Sequence, residues 1–264
     1  MARRALVLGY GAVAYLIFVA TLLVTIGFLA DVGPRGVDDG RSGSVWAALL
    51  INLGLLSLFA VQHSVMARPW FKRWWTGVIP ASIERSTYVL AASLVVALLL
   101  WQWRPLPDPV WSVSAGWARA LLWTVYLSGW AIVLLSTVLI GHFDLFGVKQ
   151  VLAAARERRY AEPTFREPLL YRLVRHPLMV GFLIAFWAVP DMSVGRLLFV
   201  GVATAYIVVA VRFEEHDLRR QLGEPYERYL RRVPRFVPRL STVVGSRAGR
   251  GQAPVRPVAT DAER

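Results

Sequence analysis

The sequence predicts an all-α integral membrane protein with five to six membrane helices, the last two forming a short C-terminal hairpin, and with further helical elements on the cytoplasmic side. Two observations predict the membrane class. Of 264 residues 56% are hydrophobic, with a mean hydropathy of +0.48, yet 30 Lys and Arg against 17 Asp and Glu leave a formal charge of +13. A soluble domain of this size rarely combines the two unless they are segregated along the chain. They are segregated: apolar runs occupy 5–30, 45–66, 87–103, 120–140, 178–189 and 197–211, and most of the cations fall outside them.

As helices, the first, second and fourth runs are long enough to cross about 30 Å of hydrocarbon. The first follows Met-Ala-Arg-Arg, a basic start like that of a secretory leader, but it exceeds a leader's apolar region of about 7–15 residues and lacks a small-x-small cleavage site. It is read as a retained helix. If the N-terminus is cytoplasmic, alternate connections on that side carry Arg3 and Arg4, four cations in 67–86, seven in 141–177 and twelve from 212 onward. The other side holds five: Arg35, Arg41, Arg104, Arg119 and Arg196. Even with the tail discounted, this bias predicts both termini in the cytoplasm. The cations then face lipid headgroups, and the charge calls for no nucleic-acid partner.

The chain has no cysteine, which excludes disulfides and thiolate metal sites. Its four histidines, His63, His142, His176 and His216, show no H-x-x-x-H spacing, so no metal centre is expected. There is no Walker loop or nucleophile elbow, and Gly141-His-Phe-Asp-Leu-Phe-Gly147 lacks the spacing of a dinucleotide fingerprint. From 241 the chain is Gly, Pro, Arg and small residues without periodicity, which predicts a disordered basic tail over 241–264. The expected organisation is membrane helices over 1–141, a second half with the hairpin over 142–240, and that tail.

The hairpin is the unusual part. Run 178–189 is only about 18 Å long as a helix and 197–211 about 22 Å, so the pair either stops short or crosses with help from flanking residues. In both versions its mouths lie together, bringing Arg175-His176 beside Arg212-Phe-Glu214-Glu215-His216-Asp217. Two carboxylates, an arginine and a histidine at a low-dielectric boundary could grip a polar ligand carrying both charges. Taken alone, the two glutamates could equally be a solvated ion-pair cluster. Gly223 then reads as a helix stop, Pro225 as an early residue of another short helix, and Tyr226 and Tyr229 share a face of it.

The ordered set Arg175-His176-Pro177 with Gly181, then Glu214-Glu215 with Leu218, then Gly223, Tyr226 and Tyr229, then Val233-Pro234 and Pro238, resembles the C-terminal half of the isoprenylcysteine carboxyl methyltransferase and phospholipid methyltransferase superfamily. With Gln62-His63-Ser64, Arg68-Pro69, the stretch from Glu84 to Tyr88 and the stretch from Gly141 to Gly147, the resemblance narrows to the bacterial membrane methanethiol S-methyltransferases, over about residues 50–240. Met179 stands where the carboxyl methyltransferases often carry an aromatic residue, a departure that disfavours a prenylated substrate.

The resemblance implies S-adenosylmethionine as cofactor, a small thiol such as methanethiol as substrate, a bacterial cytoplasmic membrane as location and no obligate protein partner. It further implies that Arg175, His176, Pro177, Gly181, Glu214, Glu215, Tyr226 and Tyr229 form the cofactor site. For removal of the thiol proton the candidates are His142, with Asp144 close enough in sequence to orient it, and His63 at the end of the second apolar run. His142 is preferred. The alternatives are a prenylcysteine or lipid acceptor, or a non-catalytic membrane scaffold.

Overall fold

The computed structural model describes residues 2–40 and 43–239, so the expected tail lies outside the described residues. In chain order the elements are α1 (Ala2–Leu29), α2 (Val45–Ala67), α3 (Pro69–Trp75), α4 (Ala81–Gln102), β1 (Pro109–Ser112), α5 (Gly116–Ile140), α6 (His142–Leu145), α7 (Val148–Ala155), α8 (Leu170–Leu173), α9 (Pro177–Trp187), β2 (Asp191–Ser193), α10 (Val194–Leu222) and α11 (Glu224–Arg232). Five of these, α1, α2, α4, α5 and α10, are long and apolar enough to cross a membrane. The chain is an all-α integral membrane protein.

Several of the helices start or stop for a local reason. Ser44 caps α2 by accepting the Ala47 N–H, and Pro69 at the first position of α3 turns the chain out of α2. Gly141 ends α5 in the left-handed region at φ 103°, as a C-terminal glycine should. With the short arm α9 counted between α5 and α10, successive passes alternate in direction, so α3, α6, α7, α8 and α11 gather at the end where α1 begins, here the near end. Loop 30–44, the α4–α5 connection and the tip of the hairpin form the far end.

Helix α1 packs on α4 and α7, and α5 packs on α9. The α5–α9 contact is backbone to backbone: a Cβ on Gly129 would stand 2.6 Å from Ala185 N, and one on Gly181 would stand 2.7 Å from Gly129 O. Small residues permit this approach, the usual device for joining helices in lipid. Helices α5 and α9, on either side of the Gly141 turn, thus pack as one unit. Aromatic residues Trp103, Tyr126, Trp130, Phe182, Phe186 and Phe199 fill the centre.

The hairpin corrects the sequence reading. Two short arms were expected; α9 has 11 residues, about 16 Å, but α10 has 29, about 43 Å. Arg196 had marked a loop before the last run. Instead it sits inside the first turn of α10, 2% exposed, paired with Asp31 and Asp38 of the far-end loop. At its other end α10 continues through the charged residues 212–222 beyond the apolar stretch. The short arm is completed at the far end by β2, which pairs antiparallel with β1. Arg119 donates to both Asp191 carboxylate oxygens, at 3.0 and 2.8 Å, and Ser112 to one at 2.6 Å. The hairpin therefore traverses the bundle.

Candidate active site

Three polar clusters occupy the near half of the bundle, and the sequence-predicted residues are divided among them. The first lies at the hairpin mouth. Proline at the first position of α9 and the extended residues before it aim Arg175 and His176 toward α10, where Glu214 and Glu215 are neighbours on the helix. Glu215 Oε1 accepts from Arg175 Nε (2.9 Å), His176 Nε2 (3.1 Å) and Arg235 Nε (3.2 Å), and Oε2 accepts from Arg235 Nη2. The Glu215 side chain is only 5% exposed. Its acceptor capacity is filled by donors of the protein itself, so Glu215 is an internal knot and not an open carboxylate.

Backbone bonds extend that knot. Arg175 N–H donates to Pro234 O (2.9 Å) and His176 N–H to Arg235 O (3.3 Å), and the Arg175 guanidinium also reaches the carbonyls of Leu230 (3.2 Å) and Val233. Segment 230–235 is thereby fastened to the hairpin mouth. Tyr226 and Tyr229 are buried with Val233, Leu218, Leu222 and Leu230 in a small second core. Tyr229 OH donates to Tyr171 O (2.7 Å), and burial pushes both phenols well above the usual tyrosine range. Pro177 starts α9, and Gly181 is spent on the α5 contact.

Glu214 differs from its neighbour. Its side chain is 49% exposed, and its nearest ionic partner is His176 Nδ1 at 3.6 Å. Most of its acceptor capacity is open, which suits an ammonium or a pair of hydroxyls.

The second cluster lies where α2, α4 and α10 meet. Tyr88 OH is 2.8 Å from His63 Nε2 and 3.5 Å from His63 O, and Ser64 Oγ is 3.1 Å from Tyr206 OH. The phenol has one proton. The 2.8 Å contact to Nε2 is the stronger of the two and its direction follows the tautomer: in the Nε2–H form the phenol accepts from Nε2 and Nδ1 is the unprotonated nitrogen. Among the described residues that buried Nδ1 has no hydrogen-bond partner. Phe59 stacks on the ring at a centroid distance of 5.1 Å.

The third cluster holds His142, and here the sequence expectation fails. Asp144 does not orient it: its carboxylate accepts from Lys149 Nζ (2.5 Å) and Tyr160 OH (3.1 Å). One residue intervenes between His142 and Asp144, and on a helical turn that spacing sends the two side chains apart. Thr137 Oγ1 donates to Leu134 O (2.7 Å), so it accepts from His142 Nδ1–H (2.8 Å), and Tyr15 OH donates to Nε2 (2.8 Å). Both ring nitrogens are occupied. Burial lowers the His142 pKa from its ordinary 6.5, which keeps the imidazole neutral at neutral pH.

Sequence reasoning missed Arg235, Tyr206 and Tyr15. Arg235 stood inside the quoted Val233-to-Pro238 pattern, and Tyr88 ended the quoted Glu84-to-Tyr88 stretch, each without a role. Tyr206 and Tyr15 sit in apolar runs where no local pattern distinguishes them.

The family described as NnrU protein matches residues 50–245, about three-quarters of the chain and all three clusters except Tyr15. The chain belongs to the NnrU family. The chain is 52% identical over 241 residues to Methanethiol S-methyltransferase 2 of Bradyrhizobium diazoefficiens, covering 91% of this chain and 93% of that one. It is 51% identical over 237 residues to Methanethiol S-methyltransferase of Mycobacterium tuberculosis, covering 89% and 97%. Nurim of Bos taurus is more distant, 30% identical over 209 residues, covering 72% and 79%. No solved structure matches this NnrU-family chain significantly.

Proposed function

We propose that this chain is a membrane methyltransferase that transfers a methyl group from S-adenosylmethionine to a small thiol, with methanethiol as substrate and dimethyl sulfide as product. The observation that carries this reading is the pair of relatives above, about half identical over nine-tenths of the chain, both named for methylation of methanethiol. The reading is supported by two clusters at the same end of an apolar bundle, one suited to gripping a polar cofactor and one offering a base for the thiol. The cation bias adds the orientation, with the near end and both termini in the cytoplasm.

The residues fit the cofactor at Glu214. Its open carboxylate, with His176 beside it, suits the ammonium or ribose hydroxyls, while Arg175, Glu215, Arg235, Tyr226 and Tyr229 hold the segment that closes over the site. Pro177 and Gly181 set the position of α9. When bound, S-adenosylmethionine supplies an electrophilic methyl on a sulfonium. His63 takes the thiol proton on Nδ1, Tyr88 steadies the resulting imidazolium through Nε2–H, and the thiolate sulfur becomes the nucleophile. His142, with both nitrogens filled, holds α1 against the end of α5.

The test is headspace detection of dimethyl sulfide from membranes holding the protein, with methyl-labelled S-adenosylmethionine and methanethiol. Labelled product is expected, with kcat reduced at least 100-fold in His63→Gln at unchanged cofactor affinity. Cofactor binding without product would overturn the thiol assignment and direct the search to prenylcysteine or lipid acceptors. No cofactor binding would overturn the methyltransferase reading.

A further inference from the structure

A separate cavity of about 390 Å³ opens at the near end between α2, α3 and α10, lined by Arg68, Pro69, Trp70, Arg73, Asp217, Arg220 and Gln221. Its charges do not balance. Arg68 is compensated: it donates to Asp217 (3.0 Å) and Ser64 O (3.2 Å), and lies 5.5 Å from the Phe213 ring centroid. The guanidiniums of Arg73 and Arg220 make no hydrogen bond or ion pair with any described residue, so the lining carries two positive charges in excess.

The surroundings favour a ligand that is anionic at one end and apolar at the other. Helix α3 reads Pro-Trp-Phe-Lys-Arg-Trp-Trp and follows directly on the membrane-crossing α2. Trp70 and Trp74 are 55% and 58% exposed, the behaviour of indoles at a headgroup boundary. Lys72 is pushed below its ordinary pKa chiefly by burial and then by Arg85, with Glu84 and Glu162 opposing. Two open guanidiniums match the oxygens of a phosphate, and Pro69 and Trp70 offer an apolar wall to the glycerol and upper acyl chain.

We propose that this cavity is a binding site for the phosphate headgroup of an anionic phospholipid, gripped by Arg73 and Arg220. It is separate from the proposed methyl-transfer clusters and does not depend on them. The occupant is a resident lipid that seats α3 against α10.

Native mass spectrometry of delipidated protein, titrated with phosphatidylglycerol or phosphatidylcholine, tests it. Phosphatidylglycerol should bind selectively, and the Arg73→Gln/Arg220→Gln protein should bind it about 30-fold more weakly, the loss of two cationic contacts. Arg158→Gln/Arg159→Gln, which removes the same charge from the same end outside the cavity, should bind as the parent does. Equal loss in both double variants would reduce the effect to diffuse charge and overturn the site. So would equal binding of the two lipids. Inorganic phosphate alone separates the free anion from the lipid: phosphate binding that needs Arg73 and Arg220, without selective lipid binding, would overturn the lipid assignment. Retained variant thermal stability in lipid-free detergent shows that misfolding is not the cause.

Discussion

Glu215→Gln separates two readings of the hairpin mouth. In the resemblance Glu215 touches the cofactor; in the structure it accepts a hydrogen bond from His176 and neutralises Arg175, whose side chains are 7% and 10% exposed, and Arg235, at 36%. Removing one member of a buried ion pair costs about 3–5 kcal/mol, because the remaining charge stays buried without compensation. Glutamine keeps one oxygen for Arg175, and the Arg235 contact is partly screened, so the lower end applies, about 3 kcal/mol. That is about a 150-fold rise in the equilibrium for undocking 224–239 from the hairpin mouth. Amide hydrogen exchange in that segment, with no cofactor present, should accelerate by this factor, and trypsin should gain access at Arg228, Arg231 and Arg232. Glu214→Gln should leave exchange unchanged and weaken S-adenosylmethionine. Unchanged exchange in Glu215→Gln with cofactor affinity lost would refute the argument and return Glu215 to the ligand.

Three further outcomes follow from geometry. Gly129→Ala and Gly181→Ala each force apart the α5–α9 backbones and should lower thermal stability by about 1–3 kcal/mol; Gly201→Ala, with open space around its Cβ, should be neutral. A Gly181→Ala protein of parental stability that fails only to bind cofactor would contradict the packing role. Because the folded state lowers the His142 pKa, the unfolded chain takes up its proton first on acidification, so the melting temperature should fall as pH drops below about 6.5. His142→Gln should flatten that dependence, and an unaltered slope would reject it. Arg196→Gln leaves Asp31 and Asp38 without their cation and should cost about 3 kcal/mol. Burial already raises the Asp38 pKa, so acidification, which neutralises Asp38 early, should recover part of that loss in thermal melts.

The long helices were legible because hydrocarbon demands consecutive apolar residues, a property of local sequence. The length of α10 was not, since Arg196 reads as a break until Asp31 and Asp38, 165 and 158 positions earlier, arrive to neutralise it. The meeting of Arg175 and His176 with Glu215 was legible from hairpin geometry alone. Its meaning was not: only Arg235, folded back by α11, shows that Glu215 is saturated and that Glu214 remains open. The His142–Asp144 pairing failed because nearness in sequence was read as nearness in space. Conversely, Tyr88 stands 25 residues from His63, and no pattern along either helix announces their contact.

The β1–β2 clasp has a consequence for how the protein is made. At about 16 Å, α9 is too short to partition across the bilayer on hydrophobicity alone. Its polar far-end continuation must be received by strand 109–112, which is synthesised some 80 residues earlier, and by the glycine-lined face of α5. Topogenesis of the hairpin is therefore templated by the finished N-terminal helices. A reporter fused after residue 193 should cross the membrane only when residues 109–140 precede it, so the last two transmembrane passes are a late, dependent step in biogenesis.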